Sequence, residues 1–261
     1  MAPLRLRYPA SLAVPGLLVA VTLLVLVLTL SAPLGGYGYA SIYAYHPVFM
    51  TVAFLLLLPL GLLSYSLDLG EAGNRAYPDR DSRRVLHGVL QLLGTCLAVC
   101  GYLVAFVYHA ARGRDHLALS YNPPIPSRVA HVFLGLFAVA GLVVMTASGL
   151  YKFVVAARDG LRARIKWHGM LGPAVWVSGL LCICLAAYFE FLENSNVPPQ
   201  PPCTSQPCPS HWSAGQVAAI VIGVVAAAVG VAVQSRLTDV SHIVPGPELD
   251  DYESDKRGLL Q

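Results

Sequence analysis

Tyr45-His46-Pro47-Val48-Phe49-Met50 opens a run that stays apolar to residue 66, and the reading of this stretch decides the fold. A bilayer span takes about 20 apolar residues in a helix, and this run is long enough. It also carries a histidine just inside its start. Histidine is costly in hydrocarbon, so an intramembrane one marks a functional site by default. The design recurs, because His87, His131 and His168 each stand just inside the start of another apolar run. The spans expected are 12–33, 46–66, 85–109, 128–151, 167–189 and 214–235.

Composition agrees with that reading. Of 261 residues, 56% are hydrophobic and 12% charged. The mean hydropathy of +0.62 lies outside the range of soluble domains. The expected fold is all-α, a six-transmembrane-helix bundle whose four-helix core is helices two to five. Residues 12–235 form the membrane domain, with 1–11 and 236–261 as short flanks. Arg5 and Arg7 before the first run also suit a secretory signal. That run exceeds the usual apolar length of about 7–15 residues, and Ser31-Ala32-Pro33 is a poor cleavage site, so a retained helix is expected. No useful internal repeat is present.

Lys and Arg in short loops bias a segment toward the cytosol. With an inside amino terminus, the cytosolic segments are 1–11, 67–84, 152–166 and 236–261. They hold every Lys and Arg of the chain except Arg112, Arg114 and Arg128. Both termini are therefore expected in the cytosol. The net charge of +3 then orients helices in a lipid bilayer and implies no nucleic-acid partner. Cys203 and Cys208 fall in the last non-cytosolic loop, beside Pro198-Pro199-Gln200-Pro201-Pro202, where an oxidising compartment permits a disulfide. Cys96, Cys100, Cys182 and Cys184 are expected to pack inside the bundle as small apolar residues.

This topology puts the histidines at two depths. Helices two and four run inward, so His46 and His131 lie near the non-cytosolic face. Helices three and five run outward, so His87 and His168 lie near the cytosolic one. A haem with two axial histidines needs imidazoles at equal depth on facing helices, and both pairs meet that condition. Two irons roughly 20 Å apart suit electron transfer, and filling both axial positions keeps oxygen off the metal. Gly88, Gly135, Gly169 and Gly172 stand one or four positions from these histidines and let a helix or a macrocycle approach. A lone interfacial histidine is usually a satisfied structural residue; the matched set of four favours ligation.

Tyr45–Met50, Val85-Leu86-His87-Gly88-Val89-Leu90-Gln91, Ala130-His131 and Trp167-His168 together resemble the cytochrome b561 family, in the branch that consists of the membrane domain alone. The resemblance covers roughly 45–190. It implies electron transfer from cytosolic ascorbate, through two b-type haems, to monodehydroascorbate or a ferric chelate on the other side. Ascorbate is an anion, so its site should be basic. Arg83 and Arg84 precede His87 by one turn, and Arg162, Arg164 and Lys166 precede His168. Arginine suits bidentate contact with carboxylate or enediolate oxygens, although inside anchoring alone would also put these residues here. On the far side Tyr108-His109 ends helix three, where family members carry a histidine implicated in acceptor binding or proton transfer. His109 is thus the expected catalytic residue, with Arg112, Arg114, His116 and Arg128 as helpers. The stretch Ser120–Arg128 departs from the family's pattern near the helix-four ligand. Its prolines suit a lid or spacer over the outer haem, which bears on which acceptor is used.

Two other classes compete. A metal transporter would use the same histidines along a path, but it expects carboxylates at mid-depth, and Asp68 and Glu190 sit at helix ends. A structural membrane protein would carry the histidines incidentally. His211 and His242 lie outside the two levels and are read as solvated. In the tail, Asp255-Lys256-Arg257-Gly258-Leu259-Leu260 fits an acidic dileucine signal, with Leu259 and Leu260 read by cytosolic sorting adaptors. An endolysosomal or vesicle membrane is the expected address, with endoplasmic reticulum and plasma membrane as alternatives. The sequence leaves a homodimer open.

Overall fold

The computed structural model describes residues 12–31, 42–67, 76, 79–113, 115–117, 126–159, 166–195 and 212–237. Among them, six helices are long and apolar enough to cross a membrane. They are α1 Ala13–Leu30, α2 Ile42–Leu63, α3 Arg80–Ala110, α4 Pro126–Asp159, α5 Lys166–Ser195 and α6 Ala214–Leu237. No β-strand occurs among the described residues. The reason is elementary, since a chain in lipid must satisfy its own backbone and a helix does so within one segment.

Helix ends depart from the hydropathy reading where polar residues extend a helix. α3 starts at Arg80 rather than at 85 because Asp79 and Ser82 cap it reciprocally. The Ser82 N–H donates to Asp79 Oδ1 at 2.7 Å, and the Asp79 N–H donates to Ser82 Oγ at 3.4 Å. The Ser82 N–H also holds the Asp79 carboxyl below its ordinary value. α4 opens on Pro126, at a position where a missing N–H costs nothing.

Contacts between distant residues establish the packing. Early α2 meets late α3 and late α2 meets early α3, so the two are antiparallel. The same pattern relates α4 and α5. Thr95 and Thr146 share a 2.7 Å hydrogen bond that ties α3 to α4. α1 and α6 pair closely, with Gly223 against Val21 and Gly230 against Val14. The Trp212 indole N–H donates to Leu28 O at 3.3 Å in the same pair. Phe54, Leu55, Leu58, Val175, Trp176 and Leu180 form the buried centre.

α2 is not uniform. Val52–Leu57 forms a π-helical segment between two α-helical ones. Such a segment shifts the ladder of main-chain bonds and is frequent at functional sites. Here the Trp176 indole N–H donates to Phe54 O at 2.8 Å. The Phe54 ring lies directly on Gly179, the only residue type whose lack of a Cβ leaves it room.

The cysteines divide differently from the expectation. Cys182 is buried, but Cys96 and Cys100 are exposed. Residues four apart share a helix face, and the Cys96 face also carries the exposed Leu92 and Leu103. That face of α3 points outward. Cys203, Cys208, His211, His242, Leu259 and Leu260 lie outside the described residues, as do Arg114, Arg162, Arg164 and residues 118–125.

Candidate functional site

Each of the four helix histidines is tied by one ring nitrogen. His46 Nδ1 donates to Gly101 O at 2.9 Å, His87 Nδ1 to Gly61 O at 2.9 Å and His131 Nδ1 to Cys182 O at 3.0 Å. His168 Nδ1 lies 3.1 Å from Ser148 Oγ. A carbonyl only accepts, so each carbonyl-bound ring carries its proton on Nδ1 and presents a lone pair at Nε2. Metal-ligating histidines are held in this way, with the second nitrogen donating to a neighbour that fixes tautomer and orientation.

The anchors also define two levels. His46, Gly101, His131 and Cys182 lie at one end of the bundle, and Gly61, His87, Ser148 and His168 at the other. Gly101 stands fourteen positions beyond His87 on α3, and Cys182 fourteen beyond His168 on α5. At 1.5 Å per residue, both separations are about 21 Å.

At the first level the His46 and His131 ring centroids are 6.3 Å apart, with planes at 77°. Two imidazoles sharing one metal through bonds of about 2 Å have centroids roughly 6 Å apart, so this pair has the required spacing. Both rings line a cavity of about 510 Å³, within the size range of cofactor sites. His109, Arg112, His116 and Arg128 line it too. The structure therefore gathers every described outer-face candidate around one space.

Aromatic rings surround His109. Its centroid lies 5.9 Å from Tyr108, 6.1 Å from Tyr43 and 6.0 Å from His116. His116 stacks on Phe106 at 4.1 Å, and the Arg112 guanidinium sits 3.8 Å over the Tyr108 ring. Tyr43 stacks on His46 at 5.7 Å and so links the buried pair to His109. Sequence reading missed Tyr43, which precedes the expected start of its span. The usable signal was its place at the membrane interface, where tyrosine is enriched.

These residues fit a haem. Paired imidazoles face a largely apolar cavity, and among the described residues a Cβ on Gly88 or Gly169 would meet nothing within 4 Å. Thr29 also lines the cavity, fully buried, and among the described residues its Oγ1 has no hydrogen-bond partner. By contrast, Thr22 on the same helix bonds back to Leu18 O at 2.7 Å. A polar edge on a bound group would satisfy Thr29. Among the described residues, no three His, Cys, Asp or Glu side chains converge to hold a bare metal ion.

Residues 45–193 match the eukaryotic cytochrome b561 family. The chain belongs to that family. It is a multi-pass membrane haem protein, an oxidoreductase of transmembrane electron transfer with b-type haem as its cofactor. Among curated proteins, none matches the chain. The matched region takes in α2 to α5 and leaves out α1, so Thr29 reaches this cytochrome's cavity from beyond it.

The opposite end of the cytochrome separates two arginines that are neighbours in sequence. Arg83 is 1% exposed. Its Nη1 donates to Ser64 O at 2.9 Å and to Leu67 O at 2.6 Å, closing the carboxy-terminal end of α2. Ser64 Oγ in turn donates to Gly61 O at 2.7 Å, the oxygen that also accepts from His87. Arg83 is thus built into the support of His87. Arg84 faces outward, half exposed, in an ion pair with Asp81. The Tyr65 ring lies 5.3 Å from His87. Lys166 opens α5, two residues before His168.

Proposed function

We propose that this cytochrome b561 family member carries electrons singly from cytosolic ascorbate, through two bis-histidine b-type haems, to monodehydroascorbate or a ferric chelate across the membrane. The observation that supports it is the set of four anchored histidines at two levels, with one pair at 6.3 Å. His46 and His131 would hold the outer haem, His87 and His168 the inner one. When bound, the two haems supply the one-electron chemistry.

The protein's part is to hold, attract and exchange protons. Anchoring each Nδ1 leaves Nε2 as the ligand and keeps the imidazoles from turning. Arg84, Arg162, Arg164 and Lys166 draw the ascorbate anion to the cytosolic end, while Arg83 acts from the α2–α3 contact. Ascorbate loses one electron and one proton there and becomes monodehydroascorbate; the proton stays on that side. On the far side, Arg112 and Arg114 attract an anionic acceptor. His109 gives a proton to monodehydroascorbate as it gains an electron; a ferric chelate needs the electron alone. Lys and Arg asymmetry supports the orientation with both termini cytosolic. Charge movement then couples to membrane voltage at about 2.3 kcal/mol per 100 mV. Leu259 and Leu260 support an endolysosomal or vesicle address.

Ascorbate added to the purified protein tests the reading. A reduced b-type absorption band with two haems per chain is the expected result, and His87→Ala and His168→Ala should each cost one haem. Absence of haem, or haem that ascorbate leaves oxidised, overturns it.

A further inference from the structure

Three of the four histidines give their Nδ1 proton to a main-chain carbonyl, and His168 alone meets a side chain. A hydroxyl has one hydrogen to give. At Ser148 that hydrogen goes to Met145 O, at 2.8 Å. What faces His168 Nδ1 at 3.1 Å is therefore an oxygen lone pair, and the ring is the donor. His168 thus has the same tautomer as the other three, with Nε2 bearing the lone pair. The ring also packs on the next residue, since a Cβ on Gly149 would lie 3.5 Å from His168 Cε1.

We propose that Ser148 is a positioning residue for the inner haem, setting the orientation and electron donation of His168 and through them the midpoint potential of that haem alone. The proposal rests on His168 being an axial ligand. A ligand imidazole whose N–H is well accepted pushes more electron density toward its metal and favours the oxidised state. Passing its own hydrogen to Met145 O polarises the Ser148 oxygen and strengthens it as an acceptor. The other three acceptors are main-chain oxygens, which a side-chain substitution cannot remove. Ser148 is therefore the position, among these four anchors, from which the sequence tunes one haem without the other.

Redox titration of purified holoprotein, followed by absorption and by electron paramagnetic resonance of the low-spin haems, tests this. Ser148→Ala should raise one midpoint and shift the resonance of the same haem, leaving the other as in wild type. His87→Ala and His168→Ala identify which signal is the inner one. Ser148→Thr restores a hydroxyl that bonds back to the preceding turn, so it should return both readouts toward wild type. Loss of the inner haem in Ser148→Ala with its retention in Ser148→Thr also supports the proposal. Wild-type potentials and resonances in Ser148→Ala overturn it, as does a Ser148→Thr protein indistinguishable from Ser148→Ala. A wild-type protein without two b-type haems, or one keeping both after His168→Ala, instead overturns the underlying ligand reading.

Discussion

Replacing Gly179 by alanine probes the centre of the bundle, where the π segment of α2 meets α5. A Cβ at this position would fall 2.1 Å from both Cδ1 and Cε1 of Phe54 and 2.7 Å from Cζ. Phe54 is 2% exposed, and its carbonyl is held by the Trp176 indole, so the ring has little room to give. Overpacking of a core costs about 1–3 kcal/mol, and contacts this short put the variant at the upper end. For a chain of this size each kcal/mol moves Tm by about 2–4 °C, so a fall of about 6–12 °C is expected. Thermal melting of the detergent-solubilised protein reads it. Phe54→Leu in the same background should recover part of the loss. The coupling from the double-mutant cycle should lie within the range of about 0.5–3 kcal/mol found for touching residues. Gly16→Ala is the control, because among the described residues a Cβ there meets nothing within 4 Å and alanine favours a helix by about 0.5–1 kcal/mol. A Gly179→Ala protein that melts with wild type, or a cycle without coupling, refutes the reasoning.

Trp176→Phe keeps the bulk and removes the 2.8 Å bond to Phe54 O. The stranded carbonyl should cost about 2 kcal/mol, read as a Tm lower by about 4–8 °C. Arg83→Met removes two donations to buried carbonyls and should cost about 3 kcal/mol. It should also disturb the resonance of the haem proposed at His87, because Ser64 links the two residues. Arg84→Ala breaks only the half-exposed pair with Asp81 and should cost under about 1 kcal/mol. Its main effect should be slower reduction by dilute ascorbate, most marked at low ionic strength. The Asp79 carboxyl is held below its ordinary value by the Ser82 N–H, so this cap stabilises the fold fully above the unfolded-state value. That contribution fades as the pH falls toward the depressed folded value. Melting curves across the acid range should show this dependence reduced in Asp79→Ala.

Much of the site could be read from the chain before any contact was known. The four histidines stand out because each interrupts an apolar run, and their depths follow from counting residues into each helix. His109 was singled out only through the family resemblance, from Tyr108-His109 at the end of its helix. The capped start of α3 was readable in principle from Asp79 and Ser82, but hydropathy passes over a charged first turn. The outward-facing cysteines were missed because apolar character alone does not distinguish a lipid-facing position from a packed one.

Along the chain, then, hydropathy and helix geometry were enough to determine six spanning helices and the two histidine levels, since both follow from rules that act along one dimension. Tertiary structure alone decided which acceptor holds three of the four rings, because Gly101, Gly61 and Cys182 offer them main-chain oxygens, which leave no trace in residue type. It decided the opposite fates of Arg83 and Arg84 as well. Adjacent residues on a helix point about 100° apart, and what each one meets depends on where the end of α2 comes to rest.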